Sequence, residues 1–200
     1  MRKPGDAQSW HLDRLFRRIE SADPARCPVV VVCTAMADGI AVHRLRSERK
    51  AWRKDHPAGF VAKPLTVDGV ADLLQWRCVV PGKEGTDWEG GAYALSLTFS
   101  ADYPSKPPVC RFTPPLFHPN VYPDGKVCLS IINPPEEHGT WRAATTLKQV
   151  LCGIQDLLDS PNNSDAANGP AHALLNQDPQ KKGAYKRRIE EEARKYPPAF

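Results

Sequence analysis

The stretch over residues 114–130, PPLFHPNVYPDGKVCLS, holds three side chains suited to acyl chemistry: His118, Asn120 and Cys128. A carrier of acyl groups needs a nucleophile that forms an amine-reactive ester, and a thiolate does this best. Cys128 lies in a proline- and turn-rich segment without apolar periodicity, the kind of irregular stretch where function often sits. Asn120 stands eight positions before it. When an amine attacks a thioester an oxyanion forms, and a positioned amide N–H stabilises such a charge. The same side chain also orders loops through bonds to the backbone, and the two roles are compatible. His118 invites a general-base reading, which with Cys128 and Asn120 gives a cysteine hydrolase. The Cys, His, Asn chain order of papain-like enzymes is not met, however, and a histidine followed by Pro119 in a tight turn is poorly placed as a mobile base.

The other cysteines are Cys27, Cys33, Cys78, Cys110 and Cys152. They form no Cys-x-x-Cys pair and have no histidine pair at zinc spacing, so neither a metal site nor a disulfide framework is expected. Such scattered cysteines fit a reducing compartment, and most of them behave as small buried hydrophobes.

The elements that must position these residues read as follows. A basic helix is expected over residues 38–54, with Ile40, Leu45 and Trp52 as its inner stripe and Ala41 and Val42 at the margin. Arg44, Arg46, Arg49, Lys50, Arg53 and Lys54 cover its other sides, and His56-Pro57 ends it. Three strand signals follow: Leu74, Trp76 and Cys78; then Tyr93, Leu95, Leu97 and Phe99; then Val109 to Phe112. Turn-rich stretches separate them, as in an antiparallel meander. A capping box, Thr146 with Gln149, opens a helix whose apolar face is Leu147, Val150, Leu151, Ile154, Leu157 and Leu158, and Ser160-Pro161 stops it. A weaker helical stretch over residues 166–177 is interrupted by Gly169-Pro170. The last helix starts from Asp178 and Pro179 and ends at Tyr196. Helix, meander, then helices makes an α+β fold.

With 200 residues the chain suits one domain, and 41% hydrophobic, 25% charged residues and a net charge of +4 describe an ordinary soluble protein. No apolar run approaches the roughly 18–20 residues that span a bilayer, and none is placed as a secretory signal. Residues 1–35 differ in character from the rest. Leu12, Leu15, Phe16 and Ile19 have helical spacing, but Asp6, Asp13, Glu20 and Asp23 count against a transit peptide. This segment is expected to be a disordered leader, or a non-native start with Met36 as the true one, ahead of a catalytic domain over residues 36–200.

The triplet His118-Pro119-Asn120 with Cys128 resembles the active site of the ubiquitin-conjugating enzyme family. Residues 49–57 (RKAWRKDHP), 59–62 (GFVA), 88–91 (WEGG), 114–130 and 147–151 (LKQVL) resemble its SUMO-conjugating branch. The likeness covers about residues 36–198. It implies an N-terminal helix, an antiparallel four-stranded meander, an active-site loop and C-terminal helices. It also implies that Cys128 accepts SUMO from the SUMO-activating enzyme as a thioester and passes it to a substrate lysine as an isopeptide. Asn120 then serves the oxyanion, Asp165 orients the incoming amine, and Tyr122 packs its alkyl stem. His118 and Pro119 become structural.

Several features bear on partners and targets. Asp124 and Lys126 replace small hydroxyl residues of the branch beside the substrate groove; Lys126 suits the acidic residue of a target motif, or is simply a solvated charge. Ala166, Gly169 and His172 also depart from the pattern, and the loop over residues 132–140 is about three residues longer than the branch norm. Arg49, Lys50, Arg53 and His56 match the face that docks the activating enzyme and a second, non-covalent SUMO. SUMO ligases and lysine-bearing proteins complete the implied partners. A monomer in nucleus and cytoplasm is expected, with no membrane or direct nucleic-acid contact. No cofactor is implied, because ATP is used upstream by the activating enzyme. Conjugation of ubiquitin or another modifier stays open as a reading, and so does a non-catalytic scaffold, although retention of Cys128 argues against the latter.

Overall fold

The computed structural model describes residues 39–177 and 183–196. Residues 1–35 with the helical spacing noted there, Cys27 and Cys33, and the expected Asp178-Pro179 cap lie outside the described residues.

Helix α1 (Ile40–Lys54) buries Ala41, Leu45, Glu48 and Trp52. These positions recur at helical spacing and form one stripe. The stripe differs from the expected one at its start: Ile40 is 79% exposed. Five residues before Leu45, it falls on the far side of a helix of 3.6 residues per turn. Glu48 replaces it as the unforeseen member of the stripe. Its Oε2 accepts the Leu147 N–H at 3.1 Å, and its Oε1 accepts from Arg44 Nε at 2.8 Å. Arg44 also donates to the carbonyls of Ala143 (2.6 Å) and Thr145 (2.9 Å), so it clamps two elements together rather than covering a solvated side.

Four antiparallel strands pair in sequence order: β1 (Val61–Val67), β2 (Val70–Pro81), β3 (Ala92–Thr98) and β4 (Val109–Phe112). The meander is the expected one. Strand β1 left no clear signal in the sequence, since Pro64 interrupts it and register slips between Pro64 and Leu65. Proline cannot donate to a ladder and is tolerated because β1 is an edge. Asp68 and Gly69 both take positive φ, 50° and 80°, and turn β1 into β2 in two residues. Register places Cys78 opposite Leu95, and Leu95 opposite Phe112. All three side chains are buried on one face of the sheet.

That face packs on α2 (Leu147–Asp159), whose buried residues are the six foreseen. The capping box is present: Gln149 N–H donates to the Thr146 hydroxyl at 3.2 Å and Thr146 N–H to Gln149 Oε1 at 2.9 Å. Helix α3 (Gly169–Gln177) begins at Gly169-Pro170 rather than being broken there. Proline needs no N–H bond in a first turn, and Asn168 accepts the Ala171 N–H at 3.3 Å. Helix α4 (Ala184–Lys195) runs to Tyr196, whose carbonyl accepts the Ala92 N–H at 2.7 Å.

Candidate active site

Beyond β4 the chain doubles back on itself. Phe112 N–H donates to the Gly125 carbonyl (2.9 Å) and Val127 N–H to the Cys110 carbonyl (2.9 Å), so residues 120–128 hang from the sheet's edge. The turn depends on Gly125, with φ at 86°; a Cβ there would collide with the Phe112 carbonyl oxygen. Cys128 follows, its N–H donating to the Asn120 carbonyl at 2.8 Å.

Asn120 is fully buried, and its side chain grips a loop far along the chain. Its Nδ2 donates to the carbonyls of Asn162 and Asp165, both at 2.8 Å, while its Oδ1 accepts the Asn162 N–H at 2.9 Å. The Pro119 carbonyl adds bonds from the N–H groups of Ala167 (2.8 Å) and Asn168 (2.9 Å). Both N–H groups of the Asn120 amide are therefore engaged with backbone. His118 is fully buried too; its Nδ1 accepts the Asn120 N–H at 3.0 Å, and its ring centroid lies 5.8 Å from that of Trp88.

The clamp delivers Asp165 to the sulfur. Cys128 Sγ–H donates to Asp165 Oδ2 at 3.1 Å. On the same sulfur, Asn133 Nδ2 donates at 3.5 Å. Burial pushes the Cys128 thiol above its ordinary value, the Asn133 N–H pulls it back, the Asp165 carboxylate raises it again, and the Tyr122 hydroxyl lowers it. Tyr122 is 39% exposed, and its phenol is raised by the charge of Cys128 first and by burial second. The sulfur thus sits between groups that stabilise a thiolate and one that opposes it.

The remaining cysteines among the described residues lack this setting. Cys78 and Cys110 are buried on strands β2 and β4; burial pushes the Cys110 thiol to about 12 and Cys78 well above its usual range. Cys152 is half-buried on α2 and also raised, chiefly by burial. Cys128 alone among them combines a loop position with polar partners at the sulfur and an open groove. That groove, about 240 Å³, is lined by Leu129, Ser130, Gly153, Leu157 and Asp165 beside Cys128 itself.

Asp124 and Lys126 are tied to their surroundings. Asp124 pairs with Arg111 at 3.2 Å and accepts the Lys126 N–H at 3.0 Å; the Lys126 ammonium lies 5.8 Å from the Tyr122 ring centroid. Arg49, Lys50 and Arg53 are exposed and, with Arg46 and Lys54, line a basic depression of about 510 Å³ on α1. His56 stacks on Trp52 with centroids 5.3 Å apart, its Nδ1 3.0 Å from the Trp52 carbonyl. Helix α1 contributes none of the side chains around the sulfur. Sequence reasoning missed Asn133, and the only trace of it is an asparagine five positions after Cys128 at the start of the long loop.

Residues 44–193 match the ubiquitin-conjugating enzyme family, and the chain belongs to it. Its members form a cysteine thioester and transfer the acyl group. The chain is 56% identical over 163 residues to SUMO-conjugating enzyme SCE1 of Arabidopsis thaliana, covering 81% of this chain and 98% of that one. It is 49% identical to SUMO-conjugating enzyme UBC9 of Caenorhabditis elegans, over 79% of this chain and 92% of the relative. It is 51% identical to the SUMO-conjugating enzyme ubc9 of Dictyostelium discoideum, over 80% and 98%.

Proposed function

We propose that this chain is a SUMO-conjugating enzyme, which takes SUMO from its activating enzyme onto Cys128 and transfers it to substrate lysines. The observation that carries this reading is the likeness, at 49–56% identity over nearly the whole length of each, to relatives named for that activity. The geometry supports the chemistry. In charging, the Cys128 thiolate attacks the thioester carbonyl carried by the activating enzyme, and the activating enzyme's sulfur leaves. In transfer, a lysine amine attacks the carbonyl carbon, the C–S bond breaks, and its electron pair returns to Cys128 Sγ.

An incoming lysine, with an ordinary pKa near 10.4, must lose a proton to attack. Asp165 accepts a bond from the amine and passes its proton to solvent, a role that its 3.1 Å distance from the sulfur supports. The half-exposed Tyr122 ring packs the lysine's alkyl stem. Asn120 builds the loop that carries Asp165, and release of one of its two carbonyl bonds frees an N–H for the oxyanion. The exposed basic face of α1 suits acidic partner surfaces, the activating enzyme and a second SUMO among them. Lys126 suits an acidic residue near the target lysine. ATP is consumed by the activating enzyme. Action as a monomer with SUMO ligases, in nucleus and cytoplasm, belongs to the same proposal.

Incubation with ATP, SUMO and its activating enzyme tests the reading. A reductant-sensitive adduct is expected on the unmutated protein, none on Cys128→Ala, and a slower, reductant-resistant ester on Cys128→Ser if the hydroxyl reacts. A full-strength adduct on Cys128→Ala overturns the site. Ready charging with ubiquitin but not SUMO overturns the modifier.

A further inference from the structure

The loop after the Cys128 turn brings a second side-chain amide to the sulfur. Asn133 is 8% exposed and follows the short 3-10 turn Ser130–Ile132. Its backbone is fixed on both sides: its N–H donates to the carbonyls of Leu129 (3.0 Å) and Ser130 (3.3 Å), and its own carbonyl accepts the Trp141 N–H at 3.4 Å. From this anchored position Nδ2 points an N–H at Cys128 Sγ, 3.5 Å away. The Asn120 amide, by contrast, spends both of its N–H groups on the carbonyls of Asn162 and Asp165.

We infer that Asn133 is a catalytic residue of this chain, donating its side-chain N–H to Cys128 Sγ as negative charge gathers on the sulfur. The inference rests on the reading of Cys128 as the thioester site. Sulfur is neutral in the thiol and in the thioester, and is a weak acceptor in both. It becomes a thiolate twice: before it attacks the activating enzyme's thioester, and when the lysine expels it. A hydrogen bond to a charged partner is about twice as strong as one between neutral groups. The Asn133 bond therefore strengthens as the C–S bond breaks, which lowers the barrier instead of merely holding the ground state. The Asn133 N–H is also the foremost of the groups that favour the charged form of this thiol, set against the Asp165 carboxylate that opposes it. Burial keeps water from competing for the sulfur on that side.

The test uses the full chain, with Asn133→Ala and with Asn133→Leu, which fills the same space without a donor. The pH midpoint of Cys128 alkylation should rise in both, the thiol's acid constant falling about 2–10-fold, the range one hydrogen bond is worth. Discharge of preformed thioester to free lysine should slow by a similar factor, with native melting retained. In the unmutated protein, the Asn133 side-chain amide protons should shift with the same midpoint as Cys128 in an NMR titration. This last measurement needs no substitution and decides the matter if either variant fails to fold. An amide resonance indifferent to Cys128 ionisation, or variants with unchanged midpoints and discharge rates, overturns the inference. Because alkylation and NMR involve no modifier, such a failure is distinct from a failure of the unmutated protein to charge with SUMO.

Discussion

Cys128 and Asp165, 37 positions apart in the chain, meet with the sulfur 3.1 Å from a carboxylate oxygen. The carboxylate accepts a hydrogen bond from the thiol and repels the thiolate, so it adds to burial in holding Cys128 in its neutral form. A group suited to receiving an amine thus opposes ionisation of the thiol beside it.

Asp165→Asn separates the two effects. Removing the negative charge lowers the Cys128 pKa, so the thiolate appears at lower pH and alkylation at neutral pH becomes faster. Transfer to lysine should slow, because the amine loses its acceptor. Alkylation against pH, compared with single-turnover discharge, reads both; a midpoint that rises would contradict the assigned sign.

Asn120→Ala removes three hydrogen bonds to the loop at Asn162 and Asp165. At about 0.5–1.5 kcal/mol each, stability should fall by about 1.5–4.5 kcal/mol. If Asn120 also serves the oxyanion, discharge should fall on the order of 10²–10³-fold while charging stays near normal. Denaturant melts and the two half-reactions measure these separately. Collapse of charging in a folded variant would leave Asn120 a purely structural part.

Arg49→Glu with Arg53→Glu should weaken charging, most visibly at low salt. Exposed pairs are individually worth about 0–1 kcal/mol, but several together steer association. Salt screens the difference over a distance of about 10 Å at 0.1 M. Charging should recover at saturating activating enzyme, since α1 supplies nothing to the sulfur. A defect that persists at saturation would place this face in the chemistry instead.

Glu48→Ala should destabilise the fold by about 1–3 kcal/mol, the cost of leaving the buried Leu147 N–H without its acceptor. The change leaves Arg44 only its hydrogen bonds to the carbonyls of Ala143 and Thr145 and removes the acceptor for Leu147 N–H at the start of α2. Thermal or denaturant unfolding checks it, and a loss under 1 kcal/mol would mean that the clamp between α1 and α2 is weak.

The sequence by itself determined much of this protein. The period of Tyr93, Leu95 and Leu97 fixed β3, the Thr146–Gln149 box and six apolar positions fixed α2, and the turn-rich setting of Cys128 singled it out as the candidate nucleophile. These signals are local, carried by side-chain periodicity and capping within a few residues. What lay beyond local pattern was decided by tertiary contact. Pro64 hid β1 because an edge strand tolerates what a pattern reads as a break. Glu48 looked like one more charge on a basic helix until Leu147 and Arg44 closed around it. The commitment of the Asn120 amide to a loop some forty residues away, and the approach of Asn133 to the sulfur, leave no periodic trace. A hydrogen bond between distant segments depends on where the fold brings their backbones, and only the packed structure specifies that.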